Sequence, residues 1–151
     1  MKDQIDSKLI TALQQNAQAT AQELADMLGL SPSQAARRRQ RLEASGVILG
    51  YRAQLDARAL GLGVQAFVQV QLLNHDPTLS KSFNKLIGSQ PEIISAWAMT
   101  GDADVLLQIY SKDLASLNTL IHDILLAHGA VSRVHSQIVM NQIKQDAPLP
   151  A

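Results

Sequence analysis

Residues 30–46, Leu-Ser-Pro-Ser-Gln-Ala-Ala-Arg-Arg-Arg-Gln-Arg-Leu-Glu-Ala-Ser-Gly, constrain the fold more than any other stretch, because a helix start, four arginines and a helix stop fall within seventeen residues. Ser31 stands three positions before Gln34, so its hydroxyl can accept from a first-turn amide while the Gln34 side chain reaches back to Ser31. Pro32 suits the first helical position, where a missing N–H has no helical partner to lose. A helix is therefore expected to open at Pro32, and Gly46 suits the left-handed conformation that closes one. Between these ends the apolar side chains are Ala35, Ala36 and Leu42, whereas Arg37, Arg38 and Arg41 fall within about one turn of each other. One narrow side packs and the other is cationic. A guanidinium fork can bridge two acceptors on a phosphate or a base edge. The competing explanation of an arginine run is a hydrated helix face, so the flanking segments have to decide.

Two shorter helices precede it. Asp3 or Asp6 can cap the first, whose apolar positions Ile5, Leu9, Ile10 and Leu13 follow the spacing of one buried face and end near Asn16. Thr20 and Glu23 form a second capping box for a helix over residues 21–28, with Leu24, Ala25, Met27 and Leu28 inward and Gly29 as its stop. The short turn through Gly29, Leu30 and Ser31 joins it to the arginine helix, which is the helix-turn-helix arrangement. In such a pair the second helix enters the major groove. After Gly46, two β-prone runs about Gly50 predict a small wing or connecting hairpin, beside which Arg52 adds charge. These features predict a winged helix-turn-helix domain over residues 1–55. Residues 56–63 contain two glycines and lose both periodicities, so they are expected to be a linker.

From Val64 the pattern alternates, with Val64, Ala66, Val68, Val70 and Leu72 on one side and Gln65, Phe67, Gln69 and Gln71 on the other, as in a half-buried strand. A helix follows from Asp76, with Leu79, Phe83, Leu86 and Ile87 on one face and Gly88 at its end. Residues 93–99 and 104–111 read as strands around the turn Thr100-Gly101-Asp102-Ala103. A helix from Asp113 to His128 buries Leu114, Leu117, Leu120, Ile121, Ile124 and Leu125, and a last strand runs from Val131 to about Ile143. The order strand, helix, strand, strand, helix, strand is the ferredoxin-like βαββαβ plan. It predicts an α+β chain whose second domain covers residues 64–144, followed by a disordered tail over residues 145–151.

Thirteen basic and thirteen acidic residues cancel, so a nucleic-acid surface has to be local. Residues 1–62 carry two lysines and six arginines against six acids, while the remainder is net negative. There is no cysteine, hence no disulfide or thiolate metal site, and no secretory h-region or long apolar run. The chain is expected to be cytoplasmic. His75, His122, His128 and His135 lack metal-ligand spacing, and no phosphate loop, nucleophile elbow or catalytic cysteine occurs. No metal, cofactor or enzymatic site is expected. Trp97 and Met99 read as sheet core or a dimer interface.

Eight separated motifs then carry a resemblance over residues 5–144. They are Ile5-Asp6-Ser-Lys-Leu9-Ile10; Glu23-Leu24-Ala25; Leu30-Ser31-Pro32; Arg38-x-x-Arg41-Leu42-Glu43; Gly46-Val47-Ile48-x-Gly50-Tyr51; Leu60-Gly61; Thr100-Gly101-Asp102-x-Asp104; and Ser136-x-Ile138-Val139. In this order they resemble the leucine-responsive and asparagine-responsive (Lrp/AsnC, feast/famine) family of transcription regulators. The resemblance implies a winged helix-turn-helix joined to a ferredoxin-like sensor domain that dimerises by packing sheets together and assembles further, often into octamers. It also implies an amino-acid effector bound between sensor domains near Gly101, Asp102, Ala103, Asp104 and Ser136. The chain departs from the family pattern at Arg39, where a branched apolar residue is usual, at Ala103, where an aromatic is frequent, and at Ser136, where threonine is usual.

With these flanks the arginine helix is expected to bind double-stranded DNA, Ser33, Gln34 and Arg37 facing base edges and Arg38, Arg41 and Arg52 engaging phosphates. The sirohaem decarboxylases resemble the same two-domain plan and provide the competing enzymatic reading, but a cationic helix has little use there.

Overall fold

The computed structural model describes residues 3–73, 76–145 and 147–150. The chain divides into two compact units, Met1–Gln54 with Ile143–Ala151 and Leu55–Gln142.

In the first unit, helix α1 (Gln4–Gln15) is capped by Asp3, whose side chain accepts from the Asp6 amide at 2.7 Å. Helix α2 (Ala21–Leu28) opens on the Thr20–Glu23 capping box and closes at Gly29, whose φ of 67° is left-handed. Helix α3 (Pro32–Ala44) opens on the Ser31–Gln34 box with Pro32 in its first turn. The chain leaves it through Gly46 at a φ of 71°. Leu9, Leu13, Leu24, Ala25, Ala35 and Leu42 interlock into one core. A fully buried leucine such as Leu9 or Leu24 contributes about 2 kcal/mol. Ala25 of α2 and Ala35 of α3 are both buried in this core. Leu149 of the closing segment exchanges two hydrogen bonds with the Gln14 side chain, at 2.6 and 3.0 Å, although that segment has no regular secondary structure.

The predicted wing is a correction. Residues 46–55 form no strand. The Val47 and Ile48 amides both turn back to the Leu42 carbonyl, at 3.0 and 3.1 Å, and close α3. Tyr51 is drawn onto α3 as well, so the β-prone run finds no ladder within its own chain. Residues 56–63 take the form of a tight turn, with Asp56 Oδ1 accepting from the Arg58 amide at 2.8 Å and the Leu62 amide bonding to the Ala57 carbonyl at 2.9 Å.

The second unit is α+β. Strands β1 (Val64–Leu72), β2 (Ile93–Ala98), β3 (Val105–Ser111) and β4 (Val131–Ile138) form one antiparallel sheet in the order β2-β3-β1-β4. Helix α4 (Pro77–Ser89) and helix α5 (Leu114–Thr119) complete the ferredoxin-like topology. Ala66, Val68, Val70, Leu107 and Ile109 pack with Phe83 and Leu125 on one face of the sheet.

Two boundaries differ from expectation. Beyond Thr119 the last helix widens into a π-helical segment, Leu120–Leu125, followed by the Leu126 amide reaching the Ile121 carbonyl at 2.9 Å. The apolar spacing through Leu117, Leu120, Ile121 and Leu125 suits either helix type, so it carries no warning of the change. Strand β4 stops at Ile138, near the point where its partner β1 begins at Val64: the Val139 amide still bonds to the Gln65 carbonyl at 2.9 Å, but the Gly63 amide is already given to Lys112. Beyond that point β1 offers no partner.

Candidate nucleic-acid interface and effector pocket

Gln34, Arg37, Arg38 and Arg41 of helix α3, with Leu30 of the preceding turn, line one open groove of about 480 Å³. Ser33 is exposed at its start and forms a 3.1 Å hydroxyl contact with Ser31. Gln34 Oε1 accepts from the Ser31 amide at 3.0 Å, which fixes that side chain in the cap, while its Nε2 has no partner among the described residues. Arg37 and Arg52 are exposed.

The other arginines of α3 are held by acids of their own unit. Asp6 of α1 is only 2% exposed, and its two oxygens take different guanidinium groups, Oδ1 from Arg38 Nη1 at 2.8 Å and Oδ2 from Arg41 Nη2 at 2.6 Å. Arg38 Nη1 also reaches Asp3 Oδ2 at 2.7 Å. Arg38 and Arg41, expected to engage phosphates, are thus both ion-paired within their own unit. Arg38, with 24% of its side chain exposed, is a strut between α1 and α3, while Arg41 keeps 60% exposed beside the groove. The cause is electrostatic: a buried carboxylate with no cation costs several kcal/mol, and Arg38 and Arg41 lie one helical turn apart on the side that meets α1. The Asp6 and Arg38 neighbourhood holds the Asp3 carboxyl below its ordinary range, through the Asp6 amide first and Arg38 second.

Arg39 snorkels over the packed side. Its Nη1 donates to the Ala19 carbonyl at 3.2 Å, its Nε to Glu43 Oε1 at 3.0 Å, and its guanidinium lies 4.7 Å from the Tyr51 ring centroid. The Tyr51 hydroxyl donates to the same Glu43 oxygen at 2.8 Å. Tyr51 and then Arg39 hold the Glu43 carboxyl below the usual carboxylate range. A group so lowered stabilises the fold above its unfolded value and loses that contribution as pH falls through the folded value. Acid titration of the full chain should therefore release Tyr51 below the carboxylate range, followed by its near-ultraviolet absorbance, and Glu43→Gln should abolish that step.

In the second unit, Gln69, Gln71, Asp102, Ala103, Arg133 and His135 line an open pocket of about 250 Å³. Its floor is a pair of cross-strand partners, Gln69 with His135 and Gln71 with Arg133, on the sheet face turned away from the buried Val68 and Val70. Asp104 supplies the wall indirectly. Its Oδ2 accepts from the Leu72 amide at 2.7 Å and its own amide bonds to the Val70 carbonyl at 3.0 Å, which pins the β2–β3 turn to the end of β1. That leaves Asp102 and Ala103 over the pocket while the Asp104 carboxylate is occupied. Gly101, at a φ of 106°, shapes the turn. Ser136 pairs with Val68 and therefore belongs to the opposite face of the sheet, so the structure does not bring it to this pocket. Trp97 lies opposite Leu106 on the pocket's face and is 44% exposed, so within this chain it is not core.

His128 accepts from the Ala130 amide through Nδ1 at 3.2 Å and contacts Ser82 through Nε2 at 2.7 Å, a helix-end arrangement. His75 lies outside the described residues, and among the described residues no acid and histidine cluster could hold a metal. The sequence reading missed Asp6 and the pinning role of Asp104. A signal for the first was present: acids three apart at the start of α1, its cap Asp3 and Asp6, meet arginines three apart on α3, Arg38 and Arg41.

A helix-turn-helix head and a ligand-sized charged pocket on a separate ferredoxin-like unit define the class as a DNA-binding transcription regulator with a ligand-binding domain. An AsnC-type helix-turn-helix domain matches residues 3–43, and the Lrp/AsnC ligand binding domain matches residues 65–149. The chain belongs to the Lrp/AsnC family. It is 37% identical over 142 residues to the leucine-responsive regulatory protein of Rhizobium meliloti, covering 94% of this chain and 91% of the relative. It is 31% identical to the DNA-binding transcriptional activator DecR of Escherichia coli K12, covering 99% of both. A transcriptional regulator from Neisseria meningitidis, solved as a complex with L-Met, superposes with a TM-score of 0.95 at 33% identity, covering 99% of this chain and 97% of that one. The protein is a regulator and not an enzyme, which sets aside the decarboxylase reading. Among the described residues no helix is long and apolar enough to cross a membrane.

Proposed function

We propose that α3 reads operator sequence through Ser33, Gln34 and Arg37, that Arg41 and Arg52 contact phosphates, and that an amino acid bound at the Asp102–Arg133 pocket modulates assembly or DNA binding. The observation that carries the DNA half is the single groove shared by Gln34, Arg37, Arg38 and Arg41 on a helix capped and packed to hold them. The ligand half rests on the charges of the second pocket. Asp102 offers an anion for an α-ammonium group, Arg133 a fork for an α-carboxylate, and Ala103 leaves room where the family often has an aromatic. The L-Met held by the Neisseria relative supports an amino-acid ligand.

The half-exposed face carrying Phe67, Trp97, Leu106 and Tyr110 supports a homodimer built by packing two sheets together, and the family resemblance extends this to a higher homo-oligomer such as an octamer in the cytoplasm. Dimerisation suits the task, since one recognition helix covers about half of a palindromic site. A ligand can shift such an assembly only through unequal affinity for its alternative states.

Calorimetric titration with the twenty amino acids tests the ligand. Binding of at least one is expected, with Arg133→Ala weakening it about tenfold through loss of a charged hydrogen bond. No heat with any of them would remove the amino-acid reading while leaving DNA binding untouched.

A further inference from the structure

Three acids neutralise three of the four arginines on α3, and they do so unequally. Asp6 is buried and holds both Arg38 and Arg41, so releasing it would strand a charge inside the unit. Glu43 is tied to Tyr51 as well as to Arg39. Asp3 differs from both. It is 50% exposed and divides its carboxylate between two tasks, Oδ1 accepting from the Asp6 amide as the cap of α1 and Oδ2 pairing with Arg38 Nη1. The Oδ2 contact can therefore break with the cap intact and with Arg38 still anchored to Asp6 Oδ1 at 2.8 Å. Arg38 also lines the groove of α3, beside Arg37 and Arg41.

We propose that Asp3 is the exchangeable counterion of Arg38, a carboxylate that a DNA phosphate displaces on binding and that thereby holds down the affinity of the whole interface. The inference rests on the reading that the α3 groove faces DNA. A phosphate offers Arg38 the same anionic oxygen geometry as Asp3 Oδ2, with charge to spare for the guanidinium nitrogens that neither acid uses. While Asp3 stays, Arg38 contributes little net positive charge, because its charge is already balanced. Without Asp3 it counts as one more phosphate contact.

Asp3→Asn separates the two tasks, since asparagine caps a helix as well as aspartate but carries no charge. Binding of the full chain to a mixed-sequence duplex is measured across a salt series, for wild type, Asp3→Asn, Arg38→Ala and the double variant. Asp3→Asn should bind three- to tenfold more tightly, and its plot of log affinity against log salt should steepen by about one unit. In the Arg38→Ala background the same substitution should change neither quantity, the non-additivity expected of a coupled pair. Unchanged or weaker binding by Asp3→Asn overturns the proposal, as does an equal gain with and without Arg38, which would mark a general charge effect. Asp3→Ser, which also caps, serves if thermal melting shows the asparagine variant to be unstable. If Arg37→Ala also leaves binding unchanged, the failure lies with the α3 groove and not with Asp3.

Discussion

Replacing Arg38 and Arg41 together by alanine is expected to destabilise the helical unit by about 3–5 kcal/mol, because it leaves Asp6 buried and without a cation. Each single replacement should cost much less, since the remaining arginine still holds one oxygen of Asp6. A unit with a core of this size is only marginally stable, so the double variant should lose the helical circular dichroism of α1 to α3 at a temperature where the sheet persists. Adding Asp6→Leu to the double variant should restore most of the loss, because an apolar side chain of similar volume leaves nothing unpaired. If the double variant melts like wild type, Asp6 is not the buried keystone that its 2% exposure and two ion pairs imply.

The second large effect concerns Arg37. It stands exposed on the groove, while its neighbours Arg38, Arg39 and Arg41 are each paired with an acid. A bidentate arginine contact to a base edge is worth about 1–3 kcal/mol. Arg37→Ala should therefore weaken binding to the preferred operator by roughly ten- to a hundredfold while binding to unrelated duplex falls far less. Arg39→Ala provides the contrast. Its guanidinium is turned to Ala19, Glu43 and Tyr51, so its removal should loosen the connection from α3 to Tyr51 and leave operator affinity within about threefold. Fluorescence anisotropy with operator and scrambled duplexes distinguishes the two variants.

Local chemistry was legible in the sequence wherever a side chain acts on its own backbone. The Thr20–Glu23 and Ser31–Gln34 boxes, the glycine stops at Gly29 and Gly46 and the alternation of β1 are all encoded within a few residues. What the sequence hid is whatever depends on a distant partner. The β-prone residues after Gly46 look like a wing because propensity is local, yet strand formation needs a ladder, and their amides close α3 instead. Arg38 and Arg41 look like hydrated cations because the acids that pair with them lie more than thirty residues earlier, at Asp3 and Asp6. In the pocket, Asp102 and Asp104 look equivalent until the sheet register shows that Asp104 is consumed in holding the turn. Ser136 shares a strand with His135, and the alternation of side chains sends it to the other face.

In the proposed function α3 reads bases through Gln34 and Arg37, with its remaining arginines serving position and charge. Selection of bound sequences from a random duplex pool, repeated for wild type, Gln34→Ala, Arg37→Ala and Arg52→Ala, tests it most directly. Gln34→Ala and Arg37→Ala are each expected to relax the preference at particular base positions, whereas Arg52→Ala should recover the wild-type preference at lower affinity. The same recovered sequence from all four proteins would contradict it.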